Sequence, residues 1–224
     1  MKTNKARAIV LRRTNYGEAD RIIHLLTPSG GVSVIAKGVR REKSRLAGGI
    51  ELFAICEVVY TEGKGDIKIL TSSRLIKFYK NIIKDYDKMQ FAYLAIKLIS
   101  RISESAEDLQ LYEILGGTLA GLDSNTLSID LVQAWFYLHY AALTGHELSL
   151  YFDANGDDIL PELTYKYDAG ERGLLIDAKG ALNADHIKLL RLISTKPLKT
   201  LAQIGGISNI ISDCFYVARE HASI

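Results

Sequence analysis

Residues 7 to 37, RAIVLRRTNYGEADRIIHLLTPSGGVSVIAK, decide the fold. In Arg7 to Arg13 and Arg21 to Thr27 the apolar residues are β-branched or aliphatic and recur with a period near two. The polar run Asn15 to Asp20 separates these segments as a turn. The second is followed by Pro28-Ser29-Gly30-Gly31 and then Val32 to Lys37, which predicts a hairpin. Further along, Ile50 to Tyr60 (IELFAICEVVY) predicts a long strand. Gly63 and Gly65 lie in a tight turn over 62–66, and Ile67 to Leu70 opens a fifth strand. Five strands within so short a segment bury their edges most economically by closing into a barrel.

After Lys80 the period becomes helical. Asp87 to Ile102, Glu107 to Leu122 and Leu127 to Thr144 each repeat apolar residues at three-and-four spacing. Asp85 or Asp87, Ser105, and Asn125 or Ser128 are the candidate N-caps, and Gly145 stands where a C-cap belongs. Leu148 to Gly180, interrupted by four glycines, is expected to be a loop or small β-insert. A helix resumes over Ala184 to Ser194, Pro197 stops it or starts the next, and a last one covers about Asn209 to His221. The expected architecture is α+β: an N-terminal OB-type barrel over residues 1–80 and a mainly helical domain over 81–224.

Charge divides the chain at the same place. Up to Lys80, sixteen Lys and Arg face seven Asp and Glu, whereas the remainder has twelve against nineteen, so a net +2 conceals about +9 and −7. That asymmetry points to a polyanion at the first segment. No apolar run approaches the ~18 residues that span a bilayer, and no apolar signal-peptide core follows the basic start. Cys56 and Cys214 lie far apart in apolar surroundings, so a reducing cytoplasm is expected and a disulfide framework is not.

Catalytic motifs are missing. Gly31 to Gly38 (GVSVIAKG) lacks the Gly-Lys-Ser/Thr ending of a phosphate loop, and neither G-x-S-x-G nor H-E-x-x-H occurs. Asp153 to Asp158 (DANGDD) has its glycine too early for a calcium loop and Thr164 at the twelfth position, so it predicts a polar turn. The five histidines share no ligand spacing, and His24 and His139 are expected to be hydrogen-bonded core or boundary residues. Among Trp135, Phe136, Tyr137 and Tyr140, two rings are expected in the core. No enzyme activity, cofactor or metal is therefore expected.

One constellation stands out. Lys37, Arg40, Arg41, Lys43 and Arg45 fall within nine residues, opposed locally only by Glu42. Such density suits phosphate neutralisation, and Arg12, Arg13 and Arg21 on neighbouring strands would extend the patch. Tyr16, Phe53, Tyr60, Phe78 and Tyr79 are the aromatics available to stack on bases.

Tyr16-Gly17-Glu18-Ala19-Asp20-Arg21-Ile22-Ile23, then Leu25-Leu26-Thr27, then Gly38-Val39-Arg40-Arg41-Glu42-Lys43-Ser44-Arg45-Leu46 resemble the N-terminal signature of the bacterial RecO family of recombination mediators. The resemblance covers about the first 80 residues. It implies an OB-fold and a helical domain, binding of single- and double-stranded DNA, strand annealing, and recombinase loading onto coated single strands. It further implies two partners, the acidic C-terminal tail of single-stranded-DNA-binding protein and the RecR ring, in the cytoplasm at the nucleoid. It maps the family's basic loop onto the five cations above. Many members carry a four-cysteine zinc site in the segment corresponding to Leu148 to Gly180. This chain has no Cys there, so zinc is not carried over, and Leu150, Phe152, Ile159, Leu160, Leu163, Leu174 and Leu175 are expected to hold the insert.

An acidic tail with an apolar tip needs an apolar groove rimmed by cations. In the helical part the candidates are Lys97, Arg101, Lys188 and Arg191, with the groove expected between the first helices. Two other classes stay open: an adaptor whose basic barrel docks an acidic tail, and an RNA-binding accessory protein. Competition between matched RNA and DNA strands separates the latter from the mediator.

Overall fold

The structure is a computed structural model, and it describes residues 3–63, 65–103 and 109–222. By contacts the chain forms two compact units, Met1–Asp123 and Ser124–Ile224.

The first unit is built on a closed five-stranded barrel of order β1-β2-β3-β5-β4. Its strands are β1 (Thr3–Tyr16), β2 (Asp20–Thr27), β3 (Gly30–Ala36), β4 (Ala54–Thr61) and β5 (Lys68–Phe78). All pairings are antiparallel except β3 with β5, which closes the barrel through Val34↔Lys68 and Ile35↔Ile69. The period-two pattern has its physical cause here. Ala8, Val10, Ile23, Leu25, Val34, Ala36, Cys56, Val58 and Leu70 alternate along their strands and together fill the interior. Long β1 pairs with β4 through Thr3 to Ile9 and with β2 through Ile9 to Tyr16, and its register shifts between Val10 and Arg12. The bulge reverses the alternation, so Arg12 lies opposite outward His24 while Arg13 lies opposite core-facing Ile23.

The expected strand from Ile50 begins instead at Ala54. Phe53 has φ +56, a left-handed conformation that an extended strand cannot continue through. Ile50 is buried all the same, which is why its sequence pattern looks strand-like.

Strand gives way to helix after Phe78, but the compact units divide only after Asp123. The reason is on the outer barrel face, where Ile9 and Leu26 lie opposite each other and are both fully buried. Helices α1 (Tyr86–Ser103) and α2 (Leu109–Asp123) pack on β1, β2 and β3, and Ile9 reaches the backbone at Gly116. Asn81 ties the arrangement by donating to the side chain and carbonyl of Asp123, both at 2.8 Å. Of the expected caps, Asp85 accepts from the amides of Asp87 and Lys88; Ser105 lies outside the described residues.

The second unit contains α3 (Ile129–Leu143), the hairpin β6 (Tyr165–Asp168) and β7 (Gly173–Ile176), α4 (Ala184–Thr195), α5 (Leu198–Leu201) and α6 (Ile211–Ala222). Ser128 caps α3, Gly145 has φ +78 just beyond it, and Pro197 starts α5. Three rings of the aromatic run, Trp135, Phe136 and Tyr140, are buried, and Trp135 Nε1 donates to the Lys196 carbonyl at 2.9 Å. The insert is held differently from expectation. Leu150 and Leu174 are buried, but Phe152 and Leu160 are 52% and 43% exposed. Buried Asp153 accepts from the amides of Asn155 and Asp157, and buried Tyr165 takes the Leu160 amide on its hydroxyl at 2.8 Å. Polar turns thus replace part of the apolar clamp.

Candidate nucleic-acid interface

The motif residues around Tyr16 to Arg21 form a receiving turn for the basic loop. Gly17 adopts φ +55 between β1 and β2, Asp20 Oδ1 accepts from the Gly38 amide at 2.7 Å, and the Ala19 carbonyl accepts from the Arg40 amide at 2.9 Å. Val39, the apolar residue between them, is buried in the barrel core. At the other end, Ser73 of β5 donates to the Leu46 carbonyl at 2.8 Å. There Gly49 lies so close that a Cβ would meet Ser73 backbone carbon at 2.5 Å. The loop is therefore fastened at both ends, and its cations project from a fixed base.

Lys37, Arg40, Arg41, Lys43 and Arg45 are all exposed. Arg40 also reaches the Gly17 carbonyl at 3.3 Å, and none of the five forms an ion pair among the described residues. Of the extending cations, Arg12 bonds His24 Nε2 at 2.9 Å, which leaves that ring nitrogen as acceptor. Arg21 donates to Asn15 at 3.0 Å. Among the described residues Arg13 alone of the eight is ion-paired, with Glu51 at 2.9 Å. Among the five candidate stacking rings, Phe53 and Tyr79 are buried and Tyr60 and Phe78 pack against the core. Tyr16, 55% exposed beside the receiving turn, is the one available.

The four expected partner cations fall two and two on different units. Lys97 and Arg101, on α1, lie beside β1. They line a groove of about 740 Å³ together with Arg12 and Arg13, so two residues from each expected site share one surface. In the second unit, Lys188 pairs with Asp185 at 3.5 Å. Arg191 donates twice to the Leu150 carbonyl, at 3.0 and 2.8 Å, and stacks over Tyr151 at 4.4 Å. It lines a smaller cavity of about 270 Å³ with Leu148, Leu150 and Phe152.

The family model described as Recombination protein O N terminal matches residues 1–79, the barrel and its loop. The DNA repair protein RecO of Roseiflexus sp. is 32% identical over 208 residues, covering 89% of this chain and 73% of the relative. The chain belongs to the RecO family. The RecO protein of Dehalococcoides mccartyi is 30% identical over 217 residues, spanning 93% of this chain and 85% of its own length. That of Chlorobium limicola is 28% identical over 220 residues. These matches extend beyond the barrel into the helical unit, whose pattern alone does not identify RecO.

His24, Ser33 and Arg12 are linked by hydrogen bonds, and His139 donates to the Trp135 carbonyl at 2.8 Å, so both histidines are hydrogen-bonded boundary residues. Burial pushes the Cys56 and Cys214 thiols up to about 11 and about 12, far from a reactive thiolate. Among the described residues no three His, Cys, Asp or Glu side chains converge as metal ligands, and no helix is long and apolar enough to cross a membrane. Sequence reasoning gave no role to Asp20, Gly49 or Ser73. Asp20 and Ser73 act across 18 and 27 positions, a separation that carries no local signal.

Proposed function

We propose that this protein is a non-enzymatic recombination mediator in bacterial DNA repair. It binds single- and double-stranded DNA through the basic loop and the adjoining barrel face, and anneals complementary strands. The observation that supports this best is the loop itself: five exposed cations on a base fixed by Asp20 and Ser73, without ion-pair partners among the described residues. Cations held in this way lower the repulsion between two phosphate backbones, while base pairing supplies specificity and no nucleotide hydrolysis is required. Exposed Tyr16 beside the loop adds a ring on which a base can stack.

Family membership supports two partners, the RecR ring and the acidic tail of single-stranded-DNA-binding protein, and a place at the nucleoid where recombinase is loaded onto coated strands. The tail docks on the second unit, where Leu148, Leu150 and exposed Phe152 offer apolar contact, Arg191 supplies positive charge at the cavity, and Lys188 stands one turn away on α4.

The test is annealing of complementary strands, naked and coated, without ATP. The wild-type chain accelerates both. Reversing the charges at Arg40, Arg41 and Lys43 abolishes both, whereas Lys188→Glu with Phe152→Ser impairs coated strands alone. No acceleration by the wild type would leave an adaptor, and a preference for RNA over matched DNA would leave an RNA-binding accessory protein.

A further inference from the structure

We infer that the groove between α1 and β1 is a second contact for single-stranded DNA, with Tyr93 as its base-stacking platform and Lys97 and Arg101 as phosphate contacts. This rests on the reading of the barrel as a strand-binding surface and extends it beyond the loop.

Three observations carry the inference. The first is charge. Arg12, Arg13, Lys97 and Arg101 converge on one groove, and Glu51, which pairs with Arg13, is the one acid bonded to any of them among the described residues. Lys97 and Arg101 are exposed and form no side-chain hydrogen bond or ion pair among the described residues. Taken with Glu51, the groove carries a net of three positive charges among the described residues, which suits a polyanion.

The second is Tyr93, 48% exposed yet held in place. Phe53 meets it edge-on, with ring centroids 4.9 Å apart and planes at 71°. A rigid exposed ring among cations is what a sequence-tolerant strand site uses, because every base has a π-face. Leu11, Leu52 and Ile96 add an apolar floor on which sugar and base edges can rest.

The third is strain. Phe53 keeps φ +56 although it is not glycine, and it is almost wholly buried. Such a backbone is disfavoured for a side chain of this size and persists where its surroundings require it. Here the residue that holds it is the one whose ring meets Tyr93. An acidic peptide would use the cations and the floor but has no need of a fixed exposed ring, so the observations favour the strand.

The test measures binding of an oligothymidylate and of an abasic sugar-phosphate strand of equal length by fluorescence anisotropy. Tyr93→Leu is expected to weaken oligothymidylate binding about tenfold and to leave the abasic strand unaffected. Tyr93→Phe keeps the ring and binds as the wild type does. Lys97→Glu with Arg101→Glu weakens both strands and lowers the salt dependence. Unchanged oligothymidylate affinity in Tyr93→Leu, while the loop variant loses affinity, would overturn the groove and leave the loop reading intact. Equal loss of both strands in Tyr93→Leu would mean a packing defect and overturn stacking. Loss of an acidic, apolar-ended peptide without loss of the strand would make the groove a peptide site. No strand binding by the wild-type chain would remove the underlying reading and this subsite together.

Discussion

Ser73 donates its hydroxyl to the carbonyl of Leu46 at 2.8 Å and thereby fastens the C-terminal end of the basic loop to β5. The bond is part-buried, and Gly49 packs against the same residue without room for a Cβ. Ser73→Ala should therefore cost about 1 kcal/mol. Gly49→Ala should cost more, about 1–3 kcal/mol, because backbone must move to admit the methyl group. Urea denaturation measures both. Hydrogen exchange over residues 40–46 should accelerate in each variant, and a loop equally protected in both would show that this anchor does not fix it.

Removing the loop cations should separate binding from folding. Arg40→Ala, Arg41→Ala and Lys43→Ala together delete exposed charges that form no ion pairs among the described residues, so the melting temperature should barely move. Each phosphate contact to a single strand adds about 0.7 to the salt slope. If about four contacts form, the wild-type slope of log K against log salt is near −3, and the triple variant should lose about two units of it. A parallel slope in the variant would take the loop out of the site.

The barrel was legible because alternation is a local signal: Ile23, Leu25, Val34 and Ala36 point inward for the same reason that they alternate in sequence. The helices were legible from their spacing, and the basic loop from its charge density. The reach of the first unit was not, because the outer-face residues Ile9 and Leu26 look like any other strand residues until α2 covers them. Nor was the sharing of one groove by Arg12, Arg13, Lys97 and Arg101. A bulge at one position of β1 sets where its arginines point, and helix periodicity does not say which barrel strand α1 will face. Nor does charge show that the guanidinium of Arg191 donates to the Leu150 carbonyl within its own unit.

The insert over 148–180 should keep its structure without metal. Asp153, Tyr165, Leu150 and Leu174 supply its internal contacts, and it contains neither Cys nor His. Extended dialysis against a chelator should leave the far-ultraviolet spectrum and the melting temperature unchanged. Stoichiometric zinc surviving that dialysis, or unfolding on chelation, would contradict this account. Asp153→Ala should cost about 1–2 kcal/mol, because it leaves the amides of Asn155 and Asp157 without their part-buried acceptor.

The helical unit should lose stability on mild acidification. His139 and His221 are both held below the ordinary histidine range, in each case chiefly by burial. His221 donates from Nε2 to the His146 carbonyl at 2.7 Å and accepts the Tyr167 hydroxyl on Nδ1 at 3.1 Å, so its neutral form fits both partners. A depressed histidine pKa means that the unfolded chain binds more protons than the folded one just below the unfolded value of about 6.5. Stability is then fully present above that pH and falls as pH drops through the folded values. Carboxylates such as Asp177, which are also held low, act in the same direction but only in a more acidic window. The single tryptophan, Trp135, lies in this unit with its ring 4.2 Å from His139, so its fluorescence reports this transition directly. The urea midpoint should drop between about pH 7.5 and about pH 5.5, and the drop should shrink in a His139→Gln, His221→Gln variant, whose absolute stability is lower. A midpoint that stays level or rises on acidification would refute the assignment of neutral, buried imidazoles to these two positions.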